Sequence, residues 1–128
     1  MSHDLRDKAI EISKRAHSPF SKANVGSAVE TADGKIFLGC NIENASFGGT
    51  VCAERVAIWK AVSEGHTKMK RIYVYTKDGW PPCGMCLQVM TEFADGNLEV
   101  TFGNEAGKET TKKLKELLTN AFTPDHME

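Results

Sequence analysis

Apolar positions along the chain change their period several times, and each change marks an element. From Ser2 to about His17, the residues Leu5, Ala9, Ile12 and Ala16 recur at intervals of four, three and four. That spacing draws one stripe along a 3.6-residue helix, so the pattern predicts an amphipathic helix ended by Ser18-Pro19. Asn24 to Thr31 and Ile36 to Cys40 flank Asp33-Gly34, which predicts a β-hairpin. A polar loop from Asn41 to Thr50, containing Gly48-Gly49, leads to a helix from about Cys52 to Glu64 with Gly65 as its stop. In that helix Ala53, Val56, Ala57, Ile58, Trp59, Ala61 and Val62 occupy more than one face, so it should be enclosed by the structure. Arg71 to Thr76, with Ile72-Tyr73-Val74-Tyr75, reads as a strand, and Asp78-Gly79-Trp80-Pro81-Pro82 as the turn into a helix from Cys83 to about Phe93. Asp95-Gly96 breaks this helix, Leu98 to Phe102 gives another strand, and Thr110 to Leu118 a last helix.

Helices interleaved with strands in this order predict an α/β fold, a three-layer α/β/α sandwich around a mixed sheet of four or five strands. Strand order does not follow from the pattern. With 128 residues, 41% hydrophobic and 26% charged, the chain has room for one domain, residues 1–128, with a real core. No apolar stretch approaches membrane-spanning length. The net charge of -1 argues against a nucleic-acid backbone as partner, because gripping phosphates calls for a basic surplus. Nothing at Met1-Ser2-His3-Asp4-Leu5-Arg6 resembles a secretory leader. The expectation is a cytoplasmic enzyme for a small molecule, with no membrane and no nucleic-acid partner.

The cysteines sharpen that expectation. Cys83-Gly84-Met85-Cys86 lets a loop entering a helix point two sulfurs at one ion, while Cys52 lies far upstream and must be brought there by folding. Glu54 stands two residues after Cys52, too close to share a tetrahedral metal comfortably but well placed to hang beside it. Three thiolates and one free carboxylate suit an open catalytic zinc site, where the metal acidifies water and the carboxylate moves protons. A bland reading also exists: Cys40 could close a four-thiol structural site, or simply be a small core residue. Glu54 could be only a favourable charge at a helix start. Asn41 and Glu43 could be turn polar groups, Phe47 loop packing and Phe122 a core plug. The histidines, His3, His17, His66 and His126, stand outside these motifs and read as surface residues.

Taken together, Cys40-Asn41-Ile42-Glu43-Asn44-Ala45, Cys52-Ala53-Glu54-Arg55 and Pro82-Cys83-Gly84-Met85-Cys86-Leu87-Gln88 closely resemble the small, homotetrameric class of zinc-dependent cytidine deaminases. The likeness runs from Pro19-Phe20-Ser21-Lys22 to Ala121-Phe122. It implies zinc on Cys52, Cys83 and Cys86, proton transfer by Glu54, and a pyrimidine nucleoside as substrate. It also implies ribose hydroxyls on Asn41 and Glu43, the base against the Ala53 backbone, and departing ammonia facing the Pro81 carbonyl. Phe20 and Phe47 would line the site, Arg55 would tune the thiolates, and Phe122 would reach a neighbouring subunit of a homotetramer. Blasticidin S deaminase shares several of these motifs and stands as an alternative, with Arg55 and Phe122 favouring the cytidine branch; a closed zinc-stabilised binding module is the alternative of a different class.

Two departures carry expectations of their own. Leu87 stands where this class commonly has arginine, leaving Arg55 as the one cation beside the thiolates and predicting a less acidic site water. Ala23 replaces a common phenylalanine and Gly48-Gly49 replaces bulkier residues. Less side chain predicts room for 4-substituted pyrimidine nucleosides beside cytidine and deoxycytidine.

Overall fold

A computed structural model describes residues 2–127 of the chain, with Ser2 and His3 described in backbone only. The expectations placed on Met1 and on the His3 side chain therefore lie outside what is described. The chain forms α1 (Ser2–Ser13), β1 (Gly26–Thr31), β2 (Ile36–Cys40), α2 (Ala53–Ser63), β3 (Met69–Tyr75), α3 (Gly84–Phe93), β4 (Glu99–Gly103), β5 (Glu109–Lys113) and α4 (Leu114–Leu117). The five strands make one sheet in the order β2-β1-β3-β4-β5, with β3 and β4 parallel and the other neighbours antiparallel. Among the described residues no helix is long and apolar enough to cross a membrane.

Side-chain alternation sends successive strand residues to opposite faces, so each face builds its own core. Ala28 and Tyr73 join Leu5 and Ala9 of α1, while Val29, Ile72 and Val100 join Ala57, Ile58 and Ala61 of α2 and Leu87 and Met90 of α3. Two strand glycines let the helices come this close. A Cβ at Gly26 would collide with the Ala9 carbonyl of α1, and one at Gly39 would collide with the Ala53 carbonyl and lie 2.5 Å from the Ala57 nitrogen of α2. The sheet's contact with α2 therefore sets the position of that helix's first turn, where the site lies.

Most predicted elements appear with small shifts. The first helix closes at Ser13 and continues as tight turns, Arg15 N–H to Ile12 and Ala16 N–H to Ser13, before Pro19. At Gly34, φ is +88° and its N–H returns to Thr31, as the hairpin needs. Gly65, at φ +95°, ends α2: its N–H bonds Val62 and the next N–H, of His66, bonds Ala61, the paired pattern of a left-handed helix stop. The second helix is enclosed on the faces carrying Ala53, Glu54, Ala57, Ile58 and Ala61, but Trp59 stays 47% exposed in the single chain.

One expectation is overturned. Thr110 to Leu118 is not a helix: β5 takes its first half and only Leu114–Leu117 turns helically. Thr110 and Thr111 are β-branched and pair with Phe102 and Thr101, and the two threonine hydroxyls of Thr101 and Thr111 lie 2.8 Å apart. Lys112 and Lys113 then mark an outer strand whose charges discourage further pairing.

Candidate active site

Both α2 and α3 are immediately preceded by a cysteine. Cys52 and Cys83 are the extended residues just before each helix, and neither side chain caps its own helix, so both sulfurs are free to face outward from the helix start. Cys86 follows in the first turn of α3 and is buried. All four cysteines are free thiols. The sulfurs of Cys52, Cys83 and Cys86 lie within 4.8 Å of one another, and among the described residues Cys40 is not part of this cluster. Cys52 and Cys83 are 3.7 Å apart. Two sulfurs about 2.3 Å from a tetrahedral zinc would be separated by about 3.8 Å, so this pair already has the required spread.

The electrostatics of the cage suit a dication. Cys52 is drawn below its usual range by its hydrogen bond with Cys86 and then by Arg55, whose Nη2 lies 3.5 Å from the sulfur. Cys86 is pushed up by the same bond with Cys52 and by burial. The two opposite shifts have one origin, a proton held between neighbouring sulfurs that cannot all be thiolates without a positive partner. Arg55 supplies part of that charge: it also reaches Met85 Sδ at 3.0 Å and lies 5.8 Å from the Trp59 ring centre. Its Nε is buried and has no hydrogen-bond partner among the described residues.

Glu54, on the opening turn of α2, is only 4% exposed. Burial first, and the nearby Cys52 charge next, push its carboxyl up to about 7. A carboxyl poised there can both accept and return a proton at neutral pH.

A cavity of about 250 Å³ opens in front of these groups, with Cys52, Glu54 and Cys83 on one side and Asn41 and Glu43 on another. It has the scale of a small-molecule pocket, not of a polymer groove. The same two polar residues also tie down the loop after Pro19. Asn41 donates from Nδ2 to the Ala23 carbonyl at 2.7 Å and accepts from Val25 N–H at 2.9 Å. Glu43 accepts from Phe20 N–H at 2.9 Å, Ser21 N–H at 3.1 Å and the Ser21 hydroxyl. The Ser21 hydroxyl bond, ahead of the backbone bonds, holds the Glu43 carboxyl below its ordinary value. Each still has capacity: Glu43 has unfilled lone pairs and Asn41 has a second amide hydrogen.

Comparison with known proteins agrees with this chemistry. The family model described as the cytidine and deoxycytidylate deaminase zinc-binding region matches residues 2–102. The chain belongs to this deaminase family. It is 43% identical over 125 residues to a cytidine deaminase of Halalkalibacterium halodurans, covering 96% of this chain and 95% of that one. It is 39% identical over 127 residues to the cytidine deaminase of Sporosarcina psychrophila, covering 94% and 93% of the two chains. The crystal structure of cytidine deaminase from Burkholderia pseudomallei superposes with a TM-score of 0.92 at 38% identity, covering 95% of this chain and 99% of that chain. Membership of a zinc-binding deaminase family, together with a three-sulfur cage that leaves Cys40 out, makes zinc the cofactor and removes the closed four-thiol reading.

Around this cavity the residues expected from the sequence fall into three groups. Asn41, Glu43, Ala53, Pro81, Cys52, Cys83 and Glu54 line it, with Cys86 buried behind. Phe20 and Phe47 meet edge to face, ring centres 5.7 Å apart, around a shallow recess next to Glu43. Phe122 lies elsewhere, 57% exposed, its ring stacked on His126 and its carbonyl accepting from Gln88 Nε2 at 2.7 Å. Leu87 points into the core beside Met90, so it brings no polar group to the thiolates. Ala23 does line the pocket; Gly48 and Gly49 do not. Several pocket residues escaped the sequence reading, among them Val25, Val74, Thr76 just after β3 and Trp80 in the turn that follows. For Trp80, a large aromatic residue between Gly79 and a proline pair was the available signal.

Proposed function

We propose that this protein hydrolyses cytidine and deoxycytidine to uridine and deoxyuridine, releasing ammonia. The observation that carries the reading is the buried carboxyl of Glu54 next to three converging sulfurs at the wall of a small cavity. When bound by Cys52, Cys83 and Cys86, zinc supplies the Lewis acidity that makes water a nucleophile near neutral pH. Glu54 takes a proton from the attacking water, delivers it to ring N3, and carries a further proton to the amine that leaves C4. A C4–O bond forms, the C4–N4 bond breaks, and no redox partner is needed. Asn41 and Glu43 hold the ribose hydroxyls, and the loop they already anchor is thereby tied to the sugar. The Ala53 backbone meets the base, the Pro81 carbonyl meets the departing ammonia, and Phe20 and Phe47 flank the entrance. Arg55 offsets the negative charge of the thiolates.

The reading includes a homotetramer in which Phe122 serves a neighbouring site, supported by that ring's exposure in the single chain, and a cytoplasmic setting. Ala23 leaves space at the pocket wall for some 4-substituted pyrimidine nucleosides. An ultraviolet assay tests the core: cytidine should be converted to uridine, stop on chelation and resume with zinc, with blasticidin S turned over far more slowly. No conversion of cytidine by zinc-loaded protein would overturn it.

A further inference from the structure

Among the described residues lining the cavity that holds Glu54, Trp80 is the only aromatic one. It belongs to neither apolar core and is 52% exposed, a poor arrangement for a large ring kept for packing alone. Its backbone, by contrast, is fixed. The Trp80 N–H bonds the Thr76 hydroxyl at 2.7 Å, and Thr76 is itself buried at 5% exposure. Gly79 before it adopts φ +78° and Pro81-Pro82 after it restrict the chain, so the turn presents the ring rather than leaving it to drift. Ala23, also on this wall, is too small to contact a planar ring broadly. Trp80, Ala23, Ser21 and Thr76 also border a second cavity, of about 460 Å³. The indole thus stands at the boundary between the two spaces.

We propose that Trp80 is the specificity-determining wall of this pocket, the surface on which the pyrimidine ring lies. The assignment rests on the nucleoside reading above. A flat apolar face held on a rigid turn contributes to ground state and transition state alike, so its loss should appear in KM more than in kcat. Aromatic stacking of a base supports a change of about tenfold.

The test compares zinc-loaded wild type, Trp80→Ala and Trp80→Phe. Trp80→Ala should raise KM for cytidine about tenfold while kcat falls much less, and Trp80→Phe should recover most of the loss. Uridine should change the intrinsic fluorescence of the wild type, and Trp80→Phe, which retains Trp59, should lack most of that change. A KM within twofold of wild type in Trp80→Ala, or an undiminished uridine response in Trp80→Phe, overturns the proposal. If Trp80→Ala does not fold, the fluorescence comparison with Trp80→Phe still decides. Wild type that ignores cytidine refutes the nucleoside reading instead, which separates the two failures.

Discussion

At the scale of single residues, the proposed site separates holding a metal from moving a proton, and two substitutions probe that division. Glu54→Gln keeps the shape of a buried side chain that is outside the sulfur cluster, so zinc content and melting temperature should not fall. The amide cannot relay a proton, and turnover should drop by at least about 10²- to 10⁴-fold. Cys40→Ser should leave both zinc stoichiometry, measured by atomic absorption, and activity close to wild type, because Cys40 lies outside the cluster. Loss of zinc in Cys40→Ser would contradict the three-sulfur cage. The convergence of Cys52, Cys83 and Cys86 was readable from the sequence because few side chains suit zinc and their spacing near helix starts is restrictive. Trp80 was not readable in the same way. The role proposed for it comes from the turn that holds it, through Thr76 and Gly79, and a lone aromatic in a loop has no period to betray its direction.

At the scale of elements, the proposed catalytic groups sit at the starts of α2 and α3, so whatever moves a helix should move the chemistry. Gly39→Ala places a methyl group against the Ala53 carbonyl and the Ala57 nitrogen, backbone atoms that can yield only if α2 shifts. Overpacking of this kind costs about 1–3 kcal/mol. The melting temperature should fall by several degrees, and because Cys52 and Glu54 flank Ala53, zinc affinity should weaken as well. Gly48→Ala is the matched control: a Cβ there meets nothing within 4 Å and φ is ordinary, so stability should be unchanged. Equal behaviour of the two variants by thermal melting and zinc titration would refute this linkage. The period of apolar residues sufficed for α1, α2 and α3 because local burial governs them. It failed at β5, where Leu114, Leu117 and Leu118 have a helical spacing while the deciding interaction, Thr101 with Thr111 across the hairpin, is a pairing between strands of the sheet. Strand order was unreadable for the same reason: β1 beside β3 and β3 beside β4 are contacts distant in sequence.

At the scale of the whole molecule, the single chain leaves several large apolar side chains in water. Phe47 is 74% exposed, Met85 62%, Phe122 57% and Trp59 47%. The accessible surface of 7365 Å² also exceeds the roughly 6,700 Å² that a compact monomer of this mass would have. Both observations fit the proposed assembly, in which neighbouring copies cover these groups and Phe122 reaches a site it does not share with its own Glu54. Sharing has a consequence that simple packing does not. Phe122→Ala subunits keep Glu54 but lack the ring, with turnover expected to fall about tenfold or more, while Glu54→Gln subunits keep the ring but cannot move the proton. When the two impaired proteins are dissociated and reassembled together, some pockets receive Glu54 from one chain and Phe122 from another. Activity of the mixture should then exceed the sum of the separately treated proteins, and it should rise with the fraction of mixed assemblies seen by native mass spectrometry. A mixture that only adds, despite verified subunit exchange, would show that each chain completes its pocket alone and would remove Phe122 from the shared site.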